Sequence, residues 1–397
     1  MIKKRFFYLL FVLSYVFVQA AAYSDFFPEN QALNAERNYG ELLIPLVNSK
    51  AVVANSLLRI GDLKIFQNDH YITEAEKKIL TKDDLFCRFS AQTTFFQMGL
   101  RNYDISWNSY LFGKSKILEK EYTKFVLYGN EEDEYTFHSG EDTQVFGFSE
   151  IKFNYAHKKP FTLKRTSIFF GANFNIYYPL YYFGVPESFQ QFGTTYDATY
   201  YEYKLHYLKT EKLNGTSPAT GIGFGFKAKL NAGWFYFSVD DLFAKLKYSN
   251  LRKYIYEKEY VDSLFYFDND YEAFEEETVS DSIFSDKKLS LSPSVALGFE
   301  YTIKNQTLMI KYKHSDYSFP NGISIGYRNY SNTPLDVILG IDDNFYFQFK
   351  MIFITPCIDY LFGFTYFDSI FNYSRGLGLE LGIRLKFDWK NDTERQF

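Results

Sequence analysis

Cysteine, positive charge and long apolar runs are all scarce in this sequence, and each shortage excludes a class of protein. The 397 residues include two cysteines, Cys87 and Cys357, too few for the disulfide framework of a small secreted domain. The net charge of -5 leaves no basic patch of the size that nucleic-acid binding needs, so we expect no nucleic-acid partner. Beyond Ala22, no apolar stretch reaches roughly 18 residues, so any membrane span must consist of β-strands.

The amino terminus has the three parts of a secretory signal peptide. Residues 3–5 are positively charged, residues 6–18 form an apolar run, and the alanines at 20–22 offer a cleavage site. We therefore predict a removable signal at residues 1–22 and a mature chain of residues 23–397; an uncleaved anchor is the alternative. In an exported chain the two cysteines could pair, although each also fits a strand as a small apolar residue.

Aromatic side chains are abundant. The chain has 45 Phe, 36 Tyr and 3 Trp, which together make up 21% of its residues. Such rings favour strands and collect at the two water–lipid boundaries of membrane barrels. A large soluble all-β protein fits this composition as well, so the order of the residues has to decide.

The last segment alternates strictly between apolar and polar residues. Its apolar positions are Leu377, Leu379, Leu381, Ile383, Leu385, Phe387 and Trp389. The residues between them are small or charged, including Glu380 and Arg384. Because successive side chains of a strand point to opposite faces, this strand has one apolar and one polar face.

The same alternation recurs along the chain. It is clear at 102–111, 221–230 and 291–303, and weaker at 41–48, 86–98, 143–156, 162–178, 196–209, 233–247, 306–315, 322–330, 344–355 and 357–368. Charged residues on the inner face of long strands fit a lumen better than the core of a β-sandwich. We predict an all-β fold, a transmembrane antiparallel β-barrel of roughly 12–14 strands.

The connections fall into two groups. Short turns are predicted at 99–102, 158–160, 231–233 and 304–306, whereas long acidic outer loops are predicted at 129–142 and 262–286. This asymmetry is typical of membrane barrels, which have short turns on one side and long loops on the other. Two short helices are predicted, Thr73–Leu85 from its capping-box spacing and Lys116–Tyr128 from its apolar periodicity. We expect each to pack on the barrel rim, with a plug or a membrane-surface piece as the alternatives.

The layout resembles outer-membrane barrels related to the bacterial long-chain fatty-acid transporter. Within that group it is most similar to a poorly characterised family found alongside type IX secretion barrels. The resemblance rests on Asn34-Ala35-Glu36 followed by Leu42–Val47, on the hairpin Cys87–Phe112, and on Gly233–Phe243, which contains Asp240-Asp241 before a turn. It implies outer-membrane placement and identifies no ligand.

Motifs of catalysis or metal binding are weak. Gly221–Gly225 lacks the spacing of a dinucleotide loop and indicates close strand packing, and Gly215–Ala219 lacks the final glycine of a nucleophile elbow. His314 and Ser315 are adjacent and so face opposite ways on a strand, against a phospholipase site. The acidic residues of 268–277 suit a solvated loop better than a Ca²⁺ site. We expect no catalytic, cofactor-binding or metal-binding residues.

The functional hypothesis is a non-enzymatic outer-membrane barrel that acts as a transporter or channel for hydrophobic or small solutes. One alternative is a secretion or surface-assembly factor that binds exported proteins; another is a structural barrel. The expected partners are membrane lipid, together with a hydrophobic small molecule or exported proteins as candidates.

Overall fold

Alternating strands build a closed wall around a lumen. The computed structural model describes residues 41–66, 70–100, 102–129, 134–138, 140–157, 159–163, 166–194, 198–211, 217–230, 233–263, 274–303, 306–329, 335–342, 345–355 and 357–388. Within these residues, 14 antiparallel strands form the wall, which confirms the predicted fold class and number.

The wall strands follow one another in chain order. They are β1 (Glu41–Asn55), β2 (Leu85–Leu100), β3 (Tyr103–Leu118), β5 (Gln144–Ala156), β7 (Thr166–Thr194), β9 (Ala219–Lys229), β10 (Gly233–Leu242), β13 (Ser294–Ile303), β14 (Gln306–His314), β15 (Gly322–Asn329), β16 (Leu335–Ile341), β17 (Phe345–Ile354), β18 (Ile358–Phe367) and β19 (Gly376–Asp388). β1 pairs with β2 on one side and with β19 on the other, which closes the ring. Sequence analysis did not predict β16.

The two faces of the wall differ in polarity. Large apolar side chains are exposed on the outside, among them Trp107, Phe174, Phe299, Ile325 and Leu381. Polar side chains such as Glu380 and Arg384 are buried on the inside, with 1% and 3% exposure. An apolar belt of this kind on a closed sheet is the lipid-facing surface of a membrane barrel.

Part of the same sheet projects beyond the wall at the end that carries the long connections, which we call the loop end. We call this part the projecting sheet. It consists of β4 (Glu134–Phe137), the end of β7, β8 (Ala198–Thr210), β11 (Lys245–Ser263) and β12 (Phe274–Ser290). A short β6 (Phe161–Leu163) pairs with β7 at the opposite end, the turn end.

The projecting sheet corrects three predictions. The strand predicted at 196–209 exists as β8, but it lies outside the wall, because its partners are the end of β7 and β11. In the acidic loop predicted at 262–286, residues 262–263 end β11 and residues 274–286 belong to β12, which pairs with β11; residues 264–273 lie outside the described residues. The loop predicted at 129–142 contains β4.

Both predicted helices exist in shorter form. α1 covers Glu74–Leu80 and α2 covers Lys120–Tyr128, because residues 85 and 116–118 belong to β2 and β3. Leu80 packs with the first residue of β2 at the loop end, so α1 is a rim helix. A 3-10 helix at Ile60–Phe66 joins the same cluster, and another covers Phe371–Tyr373. No helix among the described residues is long and apolar enough to cross a membrane.

The two cysteines do not form a disulfide bond. Cys87 and Cys357 are both free thiols, because the first lies near the loop end and the second in the connection at the turn end. A disulfide needs Cα atoms within about 7 Å, so these two cannot pair. The signal at 1–22 and the motif at 34–36 lie outside the described residues.

We expect a charged side chain on the lipid-facing surface to destabilise the barrel more, the nearer it lies to the middle of the bilayer. Leu381 lies near the middle of β19 and is 39% exposed on the outer face. Leu381→Arg should lower the free energy of unfolding by about 2–4 kcal/mol in lipid vesicles, measured by denaturant titration. Phe371→Arg in the loop-end 3-10 helix is the control and should cost less than about 1 kcal/mol. Equal losses in the two variants would refute the lipid-facing assignment.

The stability of the first turn of α1 should depend on pH. The backbone N–H and the hydroxyl of Thr73 donate to the Glu76 carboxylate and lower its pKa from 4.5 to about 2. Because the folded pKa is the lower one, this contact stabilises α1 fully above pH 4.5 and is lost as the pH falls toward 2. In Thr73→Val the backbone donor remains, so the pKa should rise but stay below 4.5. NMR titration of the carboxyl carbon measures it, with Thr81→Val at the other end of α1 as a control that should leave it unchanged.

Candidate functional site

Glycines of β9 make room for polar side chains in the lumen. A Cβ atom built on Gly223 would lie 2.2 Å from Oδ1 of Asn173 and 2.7 Å from Oδ1 of Asp240. A Cβ on Gly221 would come within 2.9 Å of the Tyr177 ring. The glycine-rich segment is therefore a site of close packing between side chains and backbone, as predicted, and not a phosphate loop.

A β-bulge turns two consecutive acidic residues into the lumen. On β10, Val239 pairs with Phe224 and Leu242 pairs with Ile222, so two residues of β10 have no direct partner on β9. The two residues are Asp240 and Asp241, both buried, and Asp241 has a positive φ of 62°. A bulge interrupts the alternation of a strand, which is why both side chains point inward.

Asp240 is the centre of a polar cluster on three strands. Its carboxylate accepts hydrogen bonds from Nδ2 of Asn173 at 2.9 Å and of Asn175 at 2.8 Å, both on β7. Nζ of Lys152 on β5 makes an ion pair with the other carboxylate oxygen. One cation and two amides thus compensate the buried charge.

The Asp241 carboxylate accepts hydrogen bonds from three hydroxyl groups in the same region. Its Oδ1 accepts a hydrogen bond from Tyr177, and its Oδ2 accepts from Ser294 at 2.6 Å and from Tyr317 at 2.7 Å. Asp241 is 0% exposed, and no cation contacts it directly in the described part of the chain. Its charge is therefore supported mainly by hydroxyl donors.

Glu150 adds a third carboxylate to this side of the lumen. It is 1% exposed and accepts hydrogen bonds from Tyr110 at 3.1 Å and from Nδ2 of Asn108 at 3.3 Å. Among the described residues, its Oε1 has no hydrogen-bond partner, and the same holds for Oδ1 of Asn173 and Asn175. This face of the lumen offers acceptors to water or to a solute that carries donors.

The opposite wall carries a compensated cluster. Glu380 on β19 lies 3.3 Å from Nζ of Lys50 on β1 and 2.8 Å from Nζ of Lys350 on β17. Gln348 also donates to Glu380 at 3.1 Å. This side of the lumen thus has one carboxylate between two cations, whereas the other side has three carboxyl groups near one cation, Lys152.

Arginine–aspartate pairs fill the lumen nearer the turn end. Arg328 on β15 contacts Asp336 on β16 through two hydrogen bonds of 2.7 Å. Arg384 on β19 lies 2.9 Å from Asp359 on β18. All four side chains are buried. Such pairs join neighbouring strands across the inner face and narrow the passage.

Aromatic side chains occupy the lumen nearer the loop end. The buried members of this cluster are Phe146, Phe148, Tyr177, Tyr182, Ala244, Leu246, Tyr248, Leu251, Leu291 and Tyr317. The cluster joins the wall to the base of the projecting sheet. It places an apolar layer above the charged layer.

One connection folds into this layer from above. Residues 315–321, between β14 and β15, form what we call the inner loop, in which Tyr317 and Phe319 are buried. Phe319 packs on Phe367 at 5.8 Å between ring centroids. The Asn321 backbone N–H donates to Asp342 at 3.1 Å, and its side chain donates to the carbonyl oxygen of Ser315 at 2.9 Å. The inner loop is held by side chains and not by strand pairing.

The residues considered for catalysis are not brought together. Ser315 is buried in the inner loop with its Oγ 3.3 Å from Oγ of Ser294, whereas His314 is exposed and lies 4.0 Å from Asp316. Among the described residues, no three His, Cys, Asp or Glu side chains could hold a metal ion. The side chains of the acidic run at 268–277 lie outside the described residues.

Solved structures of outer-membrane β-barrels are among those similar to this chain. The P. putida toluene transporter TodX is 9% identical, over 91% of this chain and 93% of that chain, with a TM-score of 0.39. CymD, a monoaromatic hydrocarbon channel, is 8% identical over 91% and 92%, with a TM-score of 0.39. The translocator domain of the autotransporter NalP from Neisseria meningitidis is 6% identical over 88% of each chain, with a TM-score of 0.28. Because these values are low, what those barrels carry is not transferred to this chain.

No protein-family model matches the chain, and no curated protein matches it either. The predicted relation to fatty-acid-transporter-like barrels therefore stays a prediction.

The Lys152–Asp240 pair should show strong coupling. Lys152→Met leaves a buried carboxylate without its cation and should lower the free energy of unfolding by about 3–5 kcal/mol. Adding Asp240→Asn removes the uncompensated charge, so the double variant should recover much of that loss. Denaturant titration in micelles measures all three variants. A double variant whose loss equals the sum of the two single losses would contradict the pairing.

Proposed function

We propose that the chain is a non-enzymatic outer-membrane barrel that passes small solutes, hydrophobic ones included, in the manner of a channel or transporter. In this proposal residues 1–22 are removed on export, and residues 23–397 form the mature barrel. The apolar outer belt supports placement in a lipid bilayer, and the length asymmetry of the connections supports placing the loop end outside the cell.

The observation that carries the proposal is how the lumen is closed. Described wall strands are joined by continuous pairing, which cannot open without exposing backbone groups to lipid. The inner loop is different, because it enters the lumen on side-chain contacts alone. Displacing it leaves the wall intact.

Releasing Tyr317 from its contacts has a modest cost. Tyr317 makes one hydrogen bond to a carboxylate and two ring contacts, with Tyr110 and Phe148. Interactions of these types together amount to on the order of 3–5 kcal/mol. A difference of that size populates a state with Tyr317 released at on the order of 0.1%. Displacing the whole inner loop also breaks the contacts of Phe319 and Asn321. A closed barrel with a rare open state fits gated passage better than a purely structural role.

A second candidate, a surface-assembly factor that binds exported proteins, is favoured by the projecting sheet. Among the described strands, β12 pairs with β11 alone and so leaves an edge to which another strand could add. Such a factor would retain exported proteins while its lumen stayed closed to solutes.

Solute flux tests the channel proposal. The mature protein is reconstituted in liposomes, and swelling in small neutral sugars is compared with that of a variant in which residues 316–319 are replaced by Gly-Ser-Gly-Ser. We expect faster swelling in the variant, by about tenfold or more, because the lumen loses its inner closure. Tyr373→Ser, a change at an exposed loop-end side chain that is not part of the inner loop, is the matched control and should behave like wild type. Liposomes that stay sealed with every variant would reject the channel and leave protein binding as the function.

A further inference from the structure

Tyr317 lies in the lumen as a ligand lies in a binding pocket. Its ring centroid is 4.9 Å from that of Tyr110 and 5.1 Å from that of Phe148, and both contacts are edge-to-face. Its hydroxyl donates to Oδ2 of Asp241 at 2.7 Å. The side chain is 8% exposed. An aromatic ring and one donor are thus both fully accommodated.

The pocket itself belongs to the wall. Tyr110 lies on β3, Phe148 on β5, Asp241 on β10 and Ser294 on β13, whereas Tyr317 comes from the inner loop. Ser294 donates to the same oxygen of Asp241 that Tyr317 does, at 2.6 Å. When the inner loop moves away, the walls and the acceptor stay in place.

Removing Tyr317 leaves Asp241 short of a donor. The carboxylate would keep Tyr177 and Ser294 but lose one charge-assisted hydrogen bond, and a buried acceptor that loses its partner is costly. The rings of Tyr110 and Phe148 would lose an aromatic partner as well. A molecule that brings a ring and a donor restores both.

We propose that this pocket binds small phenols, for which Tyr317 is a built-in competitor. The inference rests on the proposed channel function and names its solute class: a single aromatic ring with a hydroxyl donor. The hydroxyl would donate to Asp241 while the ring takes the place of the Tyr317 ring. The phenol displaces the inner loop as it enters and thereby opens the lumen.

The acceptor and the charges of the pocket determine which aromatic ligands should bind weakly. An unsubstituted hydrocarbon ring leaves Asp241 one donor short, and sites built around a hydroxyl discriminate strongly against analogues that lack it. An aromatic carboxylate meets Asp240, Asp241 and Glu150, against which Lys152 supplies one positive charge. Both classes should bind weakly.

Binding of p-cresol and toluene provides the test, because p-cresol is the tyrosine side chain itself and toluene differs from it by the hydroxyl alone. Equilibrium dialysis of the mature protein in micelles, corrected for empty micelles, gives both affinities. We expect p-cresol to bind Tyr317→Ala about tenfold or more tightly than it binds wild type. It should also bind this variant about tenfold or more tightly than toluene does. Adding Asp241→Asn should reduce the preference for p-cresol. Equal affinities for the two ligands, or no binding, in folded Tyr317→Ala would overturn the proposal.

Tyr317→Phe is a second variant that keeps the packing of the inner loop. It lacks the hydroxyl that competes for Asp241, so p-cresol should bind more tightly than in wild type while toluene gains less. No difference between these gains would count against the pocket even if Tyr317→Ala failed to fold. Liposome swelling with sugars reports on the channel separately: flux without p-cresol preference rejects the phenol pocket alone, and sealed liposomes reject the channel.

Discussion

Backbone pairing around the complete ring is the constraint on which the rest of this structure depends. A strand inside lipid has no water to satisfy its N–H and C=O groups, so each edge must find another strand. β1 meets this requirement by pairing with both β2 and β19, the first and last partners along the chain. Once the ring is closed, every wall side chain has one of two environments, lipid or lumen. The alternation of the sequence follows from that division.

The lumen is organised by how buried charges are compensated. On one side Glu380 lies between two lysines, and on the other Asp240 pairs with Lys152 while Asp241 relies on hydroxyl groups. Charges with rigid ion partners fix neighbouring strands to one another. Asp241 is different, because one of its donors comes from a loop. Glu380 and Asp240 are therefore structural carboxylates, whereas Asp241 is available to exchange its loop donor for the donor of a ligand.

Local alternation was enough to predict the barrel but not the position of every strand. β19 was clear because its polar positions face a lumen and its apolar positions face lipid. β8 alternates in the same way outside the wall, so a period of two could not exclude it. β16 was missed because Val337, Ile338 and Leu339 break the alternation: Ile338 faces inward and packs against an apolar cluster that includes Phe319. That contact joins positions far apart in the chain.

The candidate site was less predictable for the same reason. The segment containing Asp240 and Asp241 was noticed by resemblance, but alternation would have placed one of the two on the lipid side. Nothing local in residues 315–321 indicates that Tyr317 turns inward, because its hydrogen-bond and ring partners lie on three other strands.

The bulge in β10 shifts the alternation of inward-facing and outward-facing side chains by one residue. Up to Ser238, alternate residues face inward; at Asp240 and Asp241 two in succession do so, and Leu242 returns to the lipid side. Deleting Val239 would restore strict alternation and would send the Asp240 carboxylate toward hydrocarbon. The acidic pair thus depends on one extra residue of chain length, so a change that leaves every remaining amino acid unaltered would still dismantle it.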